Sequence, residues 1–373
     1  MISNEVVNTI LEKMPKALDG WTIVKIGMID RYRYLVMANW SDEDGKHPYK
    51  AKDGKLYNHP TAMIVIDLTS TRIRRMISYN GFGHGHCDGG TIKGNKEAFF
   101  GSSNGITYHL DYAADRFDHE ELLLTDERIK NGTARGIDAI KQIGDHFYTG
   151  GSGNEIHRRD GAKKWTLISE EAIDYCKKFE NGSVNSLDGY SESEIYFCGN
   201  EGNLWYYDGR YWEKIFDIPS EINLKYVLCS DDGKVYAIDS HARGVAVGRG
   251  DKFTYIPMKK DDPLNGSLTF DAVHYRGKIY LARYNLYEFA KDGWIRADIP
   301  GIYGDIEHLA SKDGILFIGT PYSLKIYNGK ETFTLYGEQK EDARLVTKAL
   351  LETGVEFLQK GHELLDEIYR ERK

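Results

Sequence analysis

The densest run of metal-binding and acid–base side chains in the sequence is GFGHGHCDGG at residues 81–90, where His84, His86, Cys87 and Asp88 fall together. Neutral imidazole ligates zinc or copper, and alternate residues of an extended segment share a face, so His84, His86 and Asp88 can converge on one ion. The same glycines equally suit a plain connection between two sheets. A second set appears when strand-like segments are aligned. Asp138 in GIDAI, Asn185 in SVNSL, Asp271 in TFDAV and Glu307 in DIEHL take matching places, with Asp88 in the second segment and Lys225 or Tyr226 in the fifth. Carboxylates gathered at one axis raise one another's pKa unless a cation, a Lys or Arg, or ordered water compensates. A divalent ion or a cationic partner side chain is the functional expectation, an oxygen-rich set suiting Ca²⁺ or Mg²⁺. The alternative is that Asp and Asn at strand starts bond neighbouring backbone N–H groups. Other chemistries find no support: there is no Gly-x-Ser-x-Gly elbow between a strand and a helix, no GxxxxGK[ST] and no strand-to-helix GxGxxG.

The elements that must position these groups read as strands. The 26 Tyr, 14 Phe and 6 Trp sit mostly in short alternating runs bounded by Gly, Asp and Asn, the pattern of half-buried strands. The runs repeat. HFYTGGSGNEIHRRDGAKKWTLI from His146 and IYFCGNEGNLWYYDGRYWEKI from Ile195 share a strand, a Gly-rich turn, a short strand, an Asp-Gly turn and a strand opening near Trp. More worn copies make seven, with second strands beginning near residues 31, 97, 146, 195, 234, 278 and 315. Each copy also has a preceding strand. Four strands at a period of roughly 40–50 residues predict an all-β, seven-bladed β-propeller over residues 21–337. Val6, Val7, Ile10, Leu11 and Met14 are spaced for an N-terminal helix in residues 1–20, and residues 338–373 carry the pattern of a long amphipathic helix.

The cadence of Gly199, Gly202, Leu204, Asp208, Gly209 and Trp212, and less closely of Gly150, Gly153, Ile156, Asp160, Gly161 and Trp165, resembles bacterial propeller repeats of the WD40-like and BNR-like superfamily. The resemblance implies an accessory or binding protein, a class that includes immunity proteins neutralising a neighbour's toxin. Composition is compatible with that. A formal charge of −8 disfavours nucleic acid and suits a basic, nuclease-like or otherwise cationic toxin. No apolar run approaches the roughly 18 residues that cross a bilayer, and the first residues lack the form of an export signal, so the cytoplasm is expected. Cys87, Cys176, Cys198 and Cys229 show no CxxC spacing. The expected function is therefore a non-catalytic propeller that binds another protein, with Tyr207, Arg210, Tyr211 and Trp294 as contact candidates and no cofactor beyond a divalent cation. The alternative is a metal-dependent propeller hydrolase or lyase with the acidic set at its axis.

Overall fold

The computed structural model describes residues 4–40, 60–78, 85–103, 105–121, 136–179, 182–291 and 293–337. In them, strands β1–β28 form seven antiparallel sheets, each built from four strands in succession, β1–β4 through β25–β28. The second strands of the sheets begin at Arg33, Asn95, His146, Glu194, Val235, Lys278 and Ile315, within two residues of the positions read from the repeats. The first strands are β1 (Trp21–Asp30), β5 (Gly85–Ile92), β9 (Ile137–Ile143), β13 (Ser186–Ser191), β17 (Leu224–Cys229), β21 (Asp271–Tyr275) and β25 (His308–Lys312). Each packs on the next, and β25 packs back on β1. The sheets are thus blades around one axis, and the chain is a seven-bladed β-propeller.

Period-2 alternation explains why the blades stack. On β14 (Glu194–Cys198), Ile195 and Phe197 pack with Tyr148 and Ile156 of the third blade, whereas Tyr196 and Cys198 pack with Val227 and Val235 of the fifth. Both faces of each small sheet are buried, which only neighbours on both sides can supply. The turns are equally local. In blades three and four the connection between second and third strands places Gly153 and Asn154, and Glu201 and Gly202, at positive φ, as a type I′ turn requires of both central residues. The preceding Gly151 and Gly199 are equivalent: a Cβ at either would lie 1.9 Å from a backbone oxygen, of Gly136 and Ser183 respectively. The sequence alignment of Gly150 with Gly199 is therefore displaced by one residue.

Helix α1 (Asn4–Leu18) forms as expected and buries Val7, Ile10 and Met14. A second helix, α2 (Glu170–Phe179), was not read from the sequence. It inserts before the fourth blade, with acidic residues in its first turn and lysines in its last, as the helix dipole favours. The amphipathic C-terminal helix read at 338–373 lies outside the described residues; among the described residues α1 and α2 join the blades.

Between blades one and two, Asp67 ends β3 (Thr61–Asp67) and accepts hydrogen bonds from Thr69 N (2.8 Å), Thr69 Oγ1 (2.7 Å), Ser70 Oγ (2.7 Å) and the Tyr112 hydroxyl. Burial opposes its ionisation, but the bonds from Tyr112, Thr69 and Ser70 outweigh that and hold the carboxyl at about 2. A depressed folded-state pKa contributes stability that is complete above the unfolded value and disappears as pH falls through the folded one. We expect Asp67→Asn to remove about 2 kcal/mol of stability at pH 7 and almost none at pH 2. Urea midpoints of the two proteins that stay equally far apart from pH 7 to pH 2 would contradict this.

Candidate functional site

The first strands frame a channel holding two cavities, of about 420 and 230 Å³. Their lining includes one charged residue from the first strand of each blade, alternating in sign along the chain: Lys25, Asp88, Lys141, Asp188, Lys225, Asp271 and Lys312, from β1, β5, β9, β13, β17, β21 and β25; Asp138 of β9 and Asp231, just beyond β17, line the cavities as well. Each aspartate ties its blade to the next. Its carboxylate accepts a backbone N–H from the first strand of the following blade: Asp88 from Gln142 (2.8 Å), Asp188 from Cys229 (2.9 Å) and Asp271 from Leu309 (3.1 Å). Two of the three also pair with lysines, Asp271 with Lys25 at 2.8 Å and Asp188 with Lys141 at 3.3 Å.

These pairs set the electrostatics. Burial works against the charge on Lys25 and Lys141, yet Asp271 and Asp188 more than compensate, and both lysines end above the ordinary lysine pKa. Lys225 and Lys312 bond to neutral oxygens instead, of Thr269 for the first and of Gly89 and Gln142 for the second, and burial lowers both. His308, on β25 beside Lys25, is pushed down to about 4, first by burial and then by that lysine. The axis therefore carries interleaved lysines and aspartates, not a cluster of acids. Their clearest role is to stitch each even-numbered blade to the next, since a buried carboxylate needs such donors.

The residues singled out in the sequence distribute unevenly on this frame. His86, Asp138, Asn185 and Asp271 line the smaller cavity and Asp88 the larger, while Glu307 lines neither. Asn185 donates to Leu224 O of the fifth blade (2.8 Å) and to Asn200 Oδ1 in its own blade (3.1 Å), so the first bond joins two blades. In the fourth blade the acid on the axis is Asp188, three residues beyond the Asn185 that the alignment chose. His84 lies outside the described residues, and among the described residues no three His, Cys, Asp or Glu side chains converge as a metal site. Burial pushes the Cys87 thiol up, so it is a packed, protonated group.

The contact candidates also separate. Arg210 is exposed, and Tyr211 is 66% exposed in the turn between β15 (Leu204–Tyr207) and β16 (Trp212–Lys214). Tyr207 is half-buried, stacked on Trp212 with centroids 5.0 Å apart. Trp294 is no contact residue: it is 2% exposed, packed on Phe289 and set in the core between blades five and six. Its place on β24 (Gly293–Arg296), opposite Phe289, directs it inward.

No family model matches the chain. Over 205 residues it is 25% identical to a Pseudomonas aeruginosa protein named immune protein Tsi7, a match that takes in 54% of this chain and 63% of that protein, so the chain spans less than two thirds of this relative's length. Among solved structures, virginiamycin B lyase from Staphylococcus aureus aligns with a TM-score of 0.57 at 9% identity, over 82% of this chain and 93% of that one. A chain of a mitotic checkpoint complex aligns with a TM-score of 0.51 at 10% identity, over 80% and 87%. Identities this low show the fold alone. Among the described residues no helix is long and apolar enough to cross a membrane. The chain is a seven-bladed propeller with a remote sequence likeness to an immune protein.

Proposed function

We propose that this propeller binds a bacterial toxin and neutralises it by covering the toxin's working surface. The likeness to immune protein Tsi7 over 205 residues carries the reading. The channel supports it indirectly: its aspartates are committed to backbone N–H groups and lysines of the inner strands, which makes the axis a frame that holds the two faces rigid. Rigid faces cut the ordering cost of association. The test is to express the protein encoded beside this reading frame in a heterologous host, with and without the propeller. Growth arrested by the neighbour alone and restored by the propeller, with the two proteins co-eluting as one complex, is the expected result. Arrest that persists, with the proteins eluting separately, rejects the reading.

A further inference from the structure

In a propeller whose first strands all run the same way, the turn between second and third strands and the connection into the next blade lie at the same end. Backbone bonds tie these segments into a belt on that face. Gly202 N donates to Ile222 O (2.6 Å), Ser240 N to Asn223 O (2.7 Å), Thr269 N to Ser240 O (2.9 Å), Ile306 N to Tyr284 O (3.1 Å), and Ile23 N to Pro321 O (2.9 Å). Most of the large apolar side chains that the described residues expose belong to this belt: Phe216 at 74%, Tyr322 at 65%, Tyr284 at 51%, and Leu268.

Tyr284 is held in place. Its φ of 54° is uncommon for a bulky residue, its ring meets Phe270 edge to face at 5.0 Å, and the neighbouring Arg283 donates to Leu268 O at 2.6 Å. A ring held this way loses little freedom when a partner covers it. Between Gly199 and Tyr322 the charges on this face are mostly acidic: Glu201, Asp217, Glu221, Asp261, Asp298 and Asp305 are exposed against Lys259, Lys260 and Arg296. Over the same stretch the opposite face is mixed, exposing Arg210, Lys234, Arg276 and Lys291 beside Asp208, Asp231, Asp232 and Asp251.

We infer that the belt face, around Tyr284, Phe216 and Tyr322, is the docking surface for a basic protein whose Lys and Arg side chains meet its acidic rim. This rests on the toxin-binding reading and adds to it the face used and the chemistry of the partner. Complementary charge speeds encounter, and buried aromatic anchors slow release.

The probe is the protein encoded beside this reading frame, titrated against four propellers by surface plasmon resonance at two salt concentrations. Tyr284→Asn keeps a residue that tolerates positive φ and removes the ring; it should weaken Kd about 30-fold, as loss of an anchor does. Glu201→Lys/Glu221→Lys should slow association about tenfold and flatten its salt dependence. Tyr211→Ala, on the opposite face, should change Kd less than about twofold. Circular dichroism melts matching the wild type confirm folding of each. If wild-type propeller binds but Tyr211→Ala is the variant that releases the probe, or the probe is acidic, the docking surface is wrong while the binding function stands. If wild type does not bind the probe at all, both fall together.

Discussion

Arg159→Leu should lower the free energy of unfolding by about 3–5 kcal/mol at pH 7, the cost of stranding buried carboxylates. Arg159 on β11 (Ile156–Gly161) of the third blade reaches across to Glu120 on β8 (Arg116–Glu121) of the second, with Nε–Oε2 at 3.0 Å and Nη2–Oε1 at 2.7 Å. Its remaining nitrogen lies 3.5 Å from Glu97, which also meets His109 Nε2 at 2.7 Å. All four side chains are largely shielded from water. With the guanidinium gone, two carboxylates face one imidazole in a low-dielectric gap between blades, and nothing replaces the bidentate bond. One further result separates this account from lost packing. Arg159→Leu/Glu120→Leu should recover most of the loss, because Glu97 keeps His109. An unfolding free energy for the single variant within about 1 kcal/mol of wild type in urea titrations, or a double variant no more stable than the single one, would refute it.

The blades were legible because their determinants are local. Alternation sends Ile195 and Phe197 to one side and Tyr196 and Cys198 to the other, and Gly and Asp-Gly turns punctuate each strand. The axis was less legible because it depends on register around the ring. Irregularities between Ile23 and Lys25 in β1, and between Leu224 and Tyr226 in β17, shift which residue meets the channel, and no short motif announces such a shift. A single aligned column placed Asp88 and Asp271 on the axis and left Lys225 and Tyr226 open, but it took Asp138, beside the irregularity between Ile137 and Ala139, for Lys141 and Asn185 for Asp188, and it missed Lys25 and Lys312. A signal was available: a Lys or Asp recurs in the first strand of every blade, alternating in sign. Trp294 and Tyr211 show the same limit at the surface. Both adjoin turns, but Tyr211 sits within its turn, whereas Trp294 is already paired with Phe289.

Closure of the ring yields the second large effect. Among the described residues no strand is shared between the first and last blades, since β1–β4 (Trp21–Ser78) and β25–β28 (His308–Tyr336) each follow one another in sequence. The seam is held by β1 against β25, by the bond from Ile23 N to Pro321 O, and by α1, which lies against β4 (Arg72–Ser78) and β28 (Thr332–Tyr336) together. Ile10, Met14 and Leu18 of the helix share one apolar cluster with Ile64 and Ile66 of the first blade and Phe333 and Leu335 of the last. Ile10 and Met14 are completely buried, so either truncated to alanine should cost about 2–5 kcal/mol. The loss should also be directional. In Ile10→Ala, amide hydrogen exchange should rise first in β1–β4 and β25–β28, with β13–β20 on the far side of the ring keeping wild-type protection, because each blade is supported chiefly by its neighbours. Equal loss of protection in all seven blades would mean that the ring opens as a whole, and that α1 acts as one more piece of core instead of the clasp of an otherwise open circle.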